Sequence, residues 1–592
     1  MLVRLPILPC CALLLSSLPG VLLAAVPASS GLPPLQALIE RYSADRNLLT
    51  TVYSDPLAPS SRERLALFHR EWRNKLEAVN FKTLDREGQI DYLLLQNQLT
   101  RAEHALQIQA SQWEAEAPLL PFAADLFALE DARRTFHTPS GEEAAGQLNA
   151  MQEKLERQQK QLESSLATAP SPALRATAWH AADDLDSMRE QLGKWFNFYN
   201  GYDPQFSWWV AAPYRSLDAK MKTYAGFLRE KVAGIAENDK TTLVGVPVGR
   251  AALQDQLRDE MIPYSPEELI AMARTQMAWC QQEMIRASRE MGYGDDWRKA
   301  LEKVKQMYVE PGRQPELIRD LARESEEYVI ANHLVTVDDL ARASWRMEMM
   351  TPQQQLVNPF FTGGDTISVS YPTDTMSYAQ RRMSMRGNNI PFSHATVFHE
   401  LIPGHWLQEY STARYRPYRQ LFGTGFWIEG NALYWEMVFW DRGFHHTPEQ
   451  RVGALFWRMH RCARIVFSLS FHLGQMSAQQ AVDYLIAEVG HEPDNAVAEV
   501  RRSINGSYDP LYQSAYLIGA MQFRALRHEL VDSHRMSECQ FHDAILQENM
   551  MPIELLRALL EEKPLSPNYK PEWRFLELSD SGTPALHTKE SQ

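Results

Sequence analysis

The stretch SPEELIAMARTQMAWCQQEMIRASREMG, residues 265–292, carries the argument for the fold. Ser265 is a good helix N-cap, Pro266 suits the first helical position, and Glu268 completes a capping box with the serine. Leu269, Ala273, Met277, Cys280, Met284, Ala287 and Met291 recur at helical spacing, and Gly292 ends the run. This predicts a long core helix whose methionines serve packing rather than a cofactor. Similar periodicity predicts helices over 59–112, 142–194, 214–236, 315–350, 448–472, 478–488 and 510–532. The fold class that follows is mainly α. One strand interrupts it: Thr366-Ile367-Ser368-Val369-Ser370-Tyr371 alternates polar and apolar side chains between Gly363-Gly364 and Pro372. A small β-hairpin or short sheet there is either an edge for an extended peptide or a packing element.

With 592 residues, 45% of them hydrophobic and 23% charged, the chain can form a large core, in more than one domain or in a single bilobed helical unit. A net charge of -14 without any Lys/Arg run argues against nucleic acid as a partner, because phosphate binding needs a basic patch. Residues 1–28 read as a signal peptide: Arg4 supplies charge, Leu13, Leu14, Leu15, Leu18, Val21, Leu22 and Leu23 an apolar stretch, and Val26-Pro27-Ala28 a cleavage site. Ser16, Ser17, Pro19 and Gly20 interrupt the stretch and weigh against a membrane anchor, and Pro9 weighs against lipidation at Cys10 or Cys11. The expectation is an exported protein, periplasmic or secreted, with no stable membrane association. Cys280, Cys462 and Cys539 are too few for a disulfide framework and leave room for one bridge. The segment 244–249, Val-Gly-Val-Pro-Val-Gly, reads as a linker between an N-terminal helical region, 29–245, and a catalytic region, 246–578, before a loose polar tail at 579–592.

The chemistry lies in His399-Glu400-Leu401-Ile402-Pro403-Gly404-His405, on a helix that Ser393 can cap and where Phe392 can pack on Val397. In the usual zinc-peptidase motif the two histidines stand four apart on one helix face, with the glutamate as general base. Here they stand six apart. Six residues turn a regular helix by about 600°, which leaves the second histidine about 120° from the first. Pro403 cannot donate to the His399 carbonyl and clashes there, and Gly404 supplies backbone freedom. A kink or bulge that returns His405 to the metal side is therefore predicted. A third protein ligand is then needed, with water in the fourth position. The aromatic-rich run from Phe426 to Glu436 carries two glutamates seven apart on one helix face. We assign Glu429 as ligand and Glu436 as the acceptor that orients a histidine, the residues themselves leaving the reverse open. Two imidazoles and a carboxylate point to Zn2+, with manganese or cobalt as alternative occupants.

With these residues the chain resembles the bacterial "domain of unknown function 885" family, whose pattern is His-Glu-x-x-Pro-Gly-His followed by Glu-Gly-x-Ala-Leu-Tyr-x-Glu. Residues 399–405 match the first stretch and Glu429-Gly430-Asn431-Ala432-Leu433-Tyr434-Trp435-Glu436 the second. Ser265 to Leu269 and Val246 to Arg250 extend the likeness over most of the mature chain. The resemblance implies a gluzincin-like helical fold, similar to the angiotensin-converting-enzyme-like and other two-histidine-plus-glutamate zinc peptidases, with a cleft between two halves that favours short peptides. The family's Asp-x-Gly-x-His run is reduced to Ser468-Leu469-Ser470-Phe471-His472, and a later stretch is replaced by Asp509 to Ala515 before a retained Tyr516-Leu517-Ile518-Gly519. These departures bear on substrate choice more than on metal binding.

The expected activity is metal-assisted amide hydrolysis, Glu400 taking the water's proton and passing it to the leaving amine. Tyr516 and His472 are candidates to stabilise the oxyanion, each with a packing role as its alternative. His394, His445 and His446 read as surface or capping residues, and Trp406, Trp427, Trp435 and Trp440 as the wall of the cleft. Two rival functions stand: a metal hydrolase acting on another amide or ester, and a non-catalytic binding protein on the same fold.

Overall fold

The helix at 265 forms as its sequence dictates. Ser265 Oγ accepts the Glu268 amide while Glu268 accepts the Ser265 amide at 2.7 Å, and the helix runs Pro266–Glu290 with Leu269, Met277, Cys280 and Met284 buried. It packs along Pro448–His472, a helix buried at every residue from Val452 to His472, where Cys280 meets Cys462; Cys280, Cys462 and Cys539 are free thiols. The computed structural model describes residues 35–576 except 167, 237–238, 240–241 and 358–360, so the expected signal peptide and polar tail lie outside the described residues.

The architecture is mainly α, with one sheet of two strands among the described residues. Three predicted helices are divided or overrun. The 59–112 run is two helices, Pro59–Glu77 and Arg86–Glu116, because Asp85 caps a fresh start by accepting the Gly88 amide at 2.8 Å. The 142–194 run breaks before Pro172, where Ser171 caps Pro172–Tyr199. The 315–350 run stops at Ala331, and Arg346–Met349 is a strand. That strand pairs in parallel with Thr366–Val369, so the predicted hairpin is a parallel pair enclosing the short helix Pro352–Val357. Thr362 bridges Ser368 from the other side, which occupies part of the edge proposed for a peptide.

Two hydrophobic cores form, and they do not divide at 245. The smaller is built from Leu119 to Ala233 with Ala58. The larger joins residues from Leu35 to Leu99 with those from Leu253 to Phe575. A buried ionic knot ties these parts: Arg419 donates to Asp91 at 2.8 Å, Glu548 at 2.7 Å and Glu87 at 2.6 Å, and Tyr418 donates to Asp91 at 2.8 Å. No described helix is long and apolar enough to cross a membrane.

Candidate metal centre

The motif helix is Ile390–Glu400, capped by Asn389, whose side chain accepts the Phe392 amide at 2.9 Å. Ser393, expected as the cap, lies inside the helix and borders a cavity. The helix ends at Glu400, and a second one, His405–Thr412, starts at the next histidine. The predicted distortion is thus a complete break, with a cis Ile402–Pro403 peptide inside it. Leu401 and Ile402 are fully buried, and the Ser325 hydroxyl donates to the Ile402 carbonyl at 3.0 Å. Gly404 is required for room. Its φ is an ordinary -82°, but a Cβ there would stand 1.9 Å from the His399 carbonyl oxygen. The turn brings the two imidazoles to 4.9 Å between centroids, nearly perpendicular at 86°.

The third donor comes from Gly425–Asp441, a helix capped by Thr424, which accepts the Trp427 amide. Glu429 Oε2 stands 3.3 Å from His405 Nε2 and 3.7 Å from His399 Nε2, and one ligand atom from each of the three residues lies within 4.8 Å of the others. The other Glu429 oxygen accepts the hydroxyls of Tyr512 at 2.7 Å and Tyr516 at 2.8 Å. Both tyrosines project from Tyr512–Arg527, which approaches closely because Gly430 and Gly519 face each other; a Cβ on Gly519 would be 2.1 Å from the Phe426 carbonyl oxygen. On the far side of His399, Nδ1 donates to Glu436 at 2.7 Å, which turns Nε2 toward Glu429. Burial disfavours charge on His399, yet the hydrogen bonds to Glu429 and Glu436 with the nearby Glu400 charge push it up to about 9. Burial raises the Glu429 carboxyl, but the two histidines outweigh it and hold the group well below the usual range. The cluster therefore demands positive charge, from protons or from an ion.

These side chains line a cavity of about 280 Å³. Glu400 borders it, and its carboxylate makes no hydrogen bond among the described residues and lies against the backbone of Gly363, where a Cβ would be 2.4 Å from Oε2. Burial raises its carboxyl, and the adjacent histidines pull the other way. Arg461, Arg464 and Arg502 line the same cavity.

The family model described as bacterial protein of unknown function (DUF885) matches residues 45–560. The chain belongs to this family. Among solved structures, a candidate lipoprotein of unknown function from Shewanella oneidensis aligns with a TM-score of 0.66 at 16% identity, over 88% of this chain and 99% of its own. Another candidate lipoprotein, from Colwellia psychrerythraea, aligns with a TM-score of 0.55 at 15% identity, over 89% of this chain and 98% of its own. At such identities these likenesses speak for the fold alone. No curated protein matches the chain.

In this DUF885 protein the predicted residues His399, Glu400, His405, Glu429, Glu436 and Tyr516 come together, and His472 does not. It is buried near the end of its helix, Nε2 donating to the Ser503 carbonyl at 3.3 Å, two turns beyond the cavity residue Arg464. His394 and His445 are likewise buried rather than on the surface, their Nδ1 atoms 3.2 Å apart. Trp427 and Trp435 belong to the core and do not border the cavity. Sequence reasoning missed Tyr512, although its spacing of four from Tyr516 puts both on one helix face. It also missed Arg461 and Arg464, which nothing in the sequence sets apart from other helical arginines.

Proposed function

We propose that this protein is an exported, zinc-dependent hydrolase that cleaves short peptides. The observation that carries this reading is the meeting, on one cavity, of three metal-type donors with a carboxylate, that of Glu400, which has no hydrogen-bond partner among the described residues. Tetrahedral zinc ligands at about 2.0–2.1 Å from the ion stand about 3.4 Å apart. The His405–Glu429 and His399–Glu429 separations of 3.3 and 3.7 Å fit that spacing. Glu436 takes the role of fixing the His399 tautomer. When bound, zinc supplies Lewis acidity toward water and a scissile carbonyl. Glu400 accepts the proton of the attacking water and delivers it to the leaving nitrogen. Tyr516, first considered for the oxyanion, acts with Tyr512 to hold Glu429 in its ligand orientation. A base kept free for proton transfer favours an enzyme over a binding protein. The solved neighbours' description as candidate lipoproteins fits export.

The test is elemental analysis of the purified protein together with mass spectrometry of a mixed peptide library, with ester and non-peptide amide substrates in parallel. Glu400→Gln should retain the metal while hydrolysis falls by about 10²–10⁴, and His405→Ala should lose the metal. Unchanged turnover in the first variant, or full loading in the second, would sink the mechanism.

A further inference from the structure

The cavity that holds the donor cluster is also lined by three arginines, Arg461, Arg464 and Arg502. Arg461 and Arg464 stand three apart on Pro448–His472 and so share a face. Arg464 donates to Glu499 through Nε at 2.7 Å and through a second nitrogen at 3.2 Å, and Arg502 ion-pairs with the same carboxylate. Glu499 is therefore already shared by two guanidiniums. Arg461 has no ion pair and no hydrogen bond among the described residues, although it is only 6% exposed and its Nε is sealed from solvent. Its guanidinium lies 4.6 Å from the Tyr516 ring centre and 5.4 Å from that of Trp457. Aromatic faces stabilise the charge without using its N–H donors. Arg464 Nη1 also has no hydrogen-bond partner among the described residues.

An arginine stays protonated at any physiological pH, so burial without an acceptor leaves a charge whose donors await an anion. The planar fork of a guanidinium matches the two oxygens of a carboxylate. Both arginines border the same cavity as Glu400 and the His399–His405–Glu429 cluster, so an anion held there is part of whatever reacts there. We propose that Arg461, backed by Arg464, binds a carboxylate of the substrate and makes this carboxylate the main determinant of specificity. This rests on the hydrolase reading for its catalytic meaning. A peptide offers that group as its free C-terminus or as an acidic side chain.

The experiment compares three peptides on the zinc-loaded protein: acetyl-tetra-alanine with a free C-terminus, its C-terminal amide, and the amide with glutamate in place of the last alanine. The free acid or the glutamate amide should exceed the plain amide at least 100-fold in kcat/KM, and which of them does so identifies the source of the carboxylate. Arg461→Gln should bring that ratio within threefold, mostly through KM, and Arg461→Lys should restore part of it. Calorimetric binding of acetyl-alanine and of succinate to metal-free protein supplies a readout that needs no turnover. At least one should bind, and Arg461→Gln should weaken that binding at least tenfold, with circular dichroism melts checking that both variants fold. Cleavage of all three peptides at similar rates overturns the proposal, as does undiminished binding of both anions by Arg461→Gln. Arg461-dependent binding with no hydrolysis of any peptide would instead remove the hydrolase reading and leave the anion site standing.

Discussion

A methyl group on residue 404 would fall 1.9 Å from the His399 carbonyl oxygen and 2.6 Å from that of Phe398, both of them backbone atoms that cannot rotate away. Gly404→Ala should therefore destabilise the fold by about 1–3 kcal/mol, as overpacking does, and lower metal content in parallel. Urea denaturation and elemental analysis read both effects, and an alanine variant of parental stability and loading would show that the turn absorbs the methyl. The His-Glu-x-x-Pro-Gly-His string was legible because Pro403 forbids a continuous helix. The need for space at Gly404 was not, since it depends on how the turn folds back on Phe398. Burial, helped by a hydrogen bond and charge from Asp184, pushes the Glu116 carboxyl up to about 9. The folded value lies above the unfolded one near 4.5. The native state then keeps a proton that the unfolded chain has released, so this group's stabilisation is full below about pH 4.5 and fades as pH rises toward the folded value. Glu116→Gln removes that dependence, and its melting temperature should gain on the parent between pH 5 and pH 8. A constant difference over that range would refute the assignment.

Among elements, the pairing of Gly425–Asp441 with Tyr512–Arg527 positions the donor triangle. Gly430 and Gly519 let the backbones close, and only at that distance do Tyr512 and Tyr516 reach Glu429. Gly519→Ala should force the helices apart, lower stability by about 1–3 kcal/mol and weaken zinc binding by about 10–100-fold through the loosened carboxylate. A zinc titration with a competing chelator measures this, and unchanged affinity would show the tyrosines to be dispensable. Periodicity read most helices correctly because their apolar faces are wide, as in Pro448–His472. It ran two helices into one at Asp85 and at Ser171, where a good cap follows a short irregular link. It extended through Arg346–Met349 because four residues hold too little pattern to oppose a neighbouring helix. The arginines of the cavity wall were invisible for a different reason: a helical arginine looks the same in sequence whether it meets solvent, a carboxylate or an open cavity.

For the whole molecule, the larger core draws on both the N-terminal and the C-terminal parts of the chain, and the ionic knot at Arg419 crosses between them. Arg419 and Asp91 are fully buried, so removing Asp91 takes from the guanidinium its one fully buried counter-charge and leaves the Tyr418 hydroxyl without its acceptor. Asp91→Ala should lose about 3–5 kcal/mol of stability, measured by chemical denaturation, whereas a loss below 1 kcal/mol would mean that Glu87 and Glu548 suffice. The sequence suggested a boundary at 245 because a Pro/Gly-rich segment stands there, but pairings across more than 300 residues, such as Arg419 with Asp91, leave no local trace. With His399 and His405 on separate helices, their convergence depends on the buried turn at Leu401 and Ile402 and on a third helix for Glu429. The unfolded chain keeps His399 and His405 close in sequence but Glu429 far from both, so an ion held by all three binds the native state more tightly than the unfolded one. Its binding then adds directly to folding, by about 4 kcal/mol at a thousandfold excess over Kd. For such a chain a chelator acts as a denaturant, and the metal supply of the compartment becomes part of the conditions under which it folds.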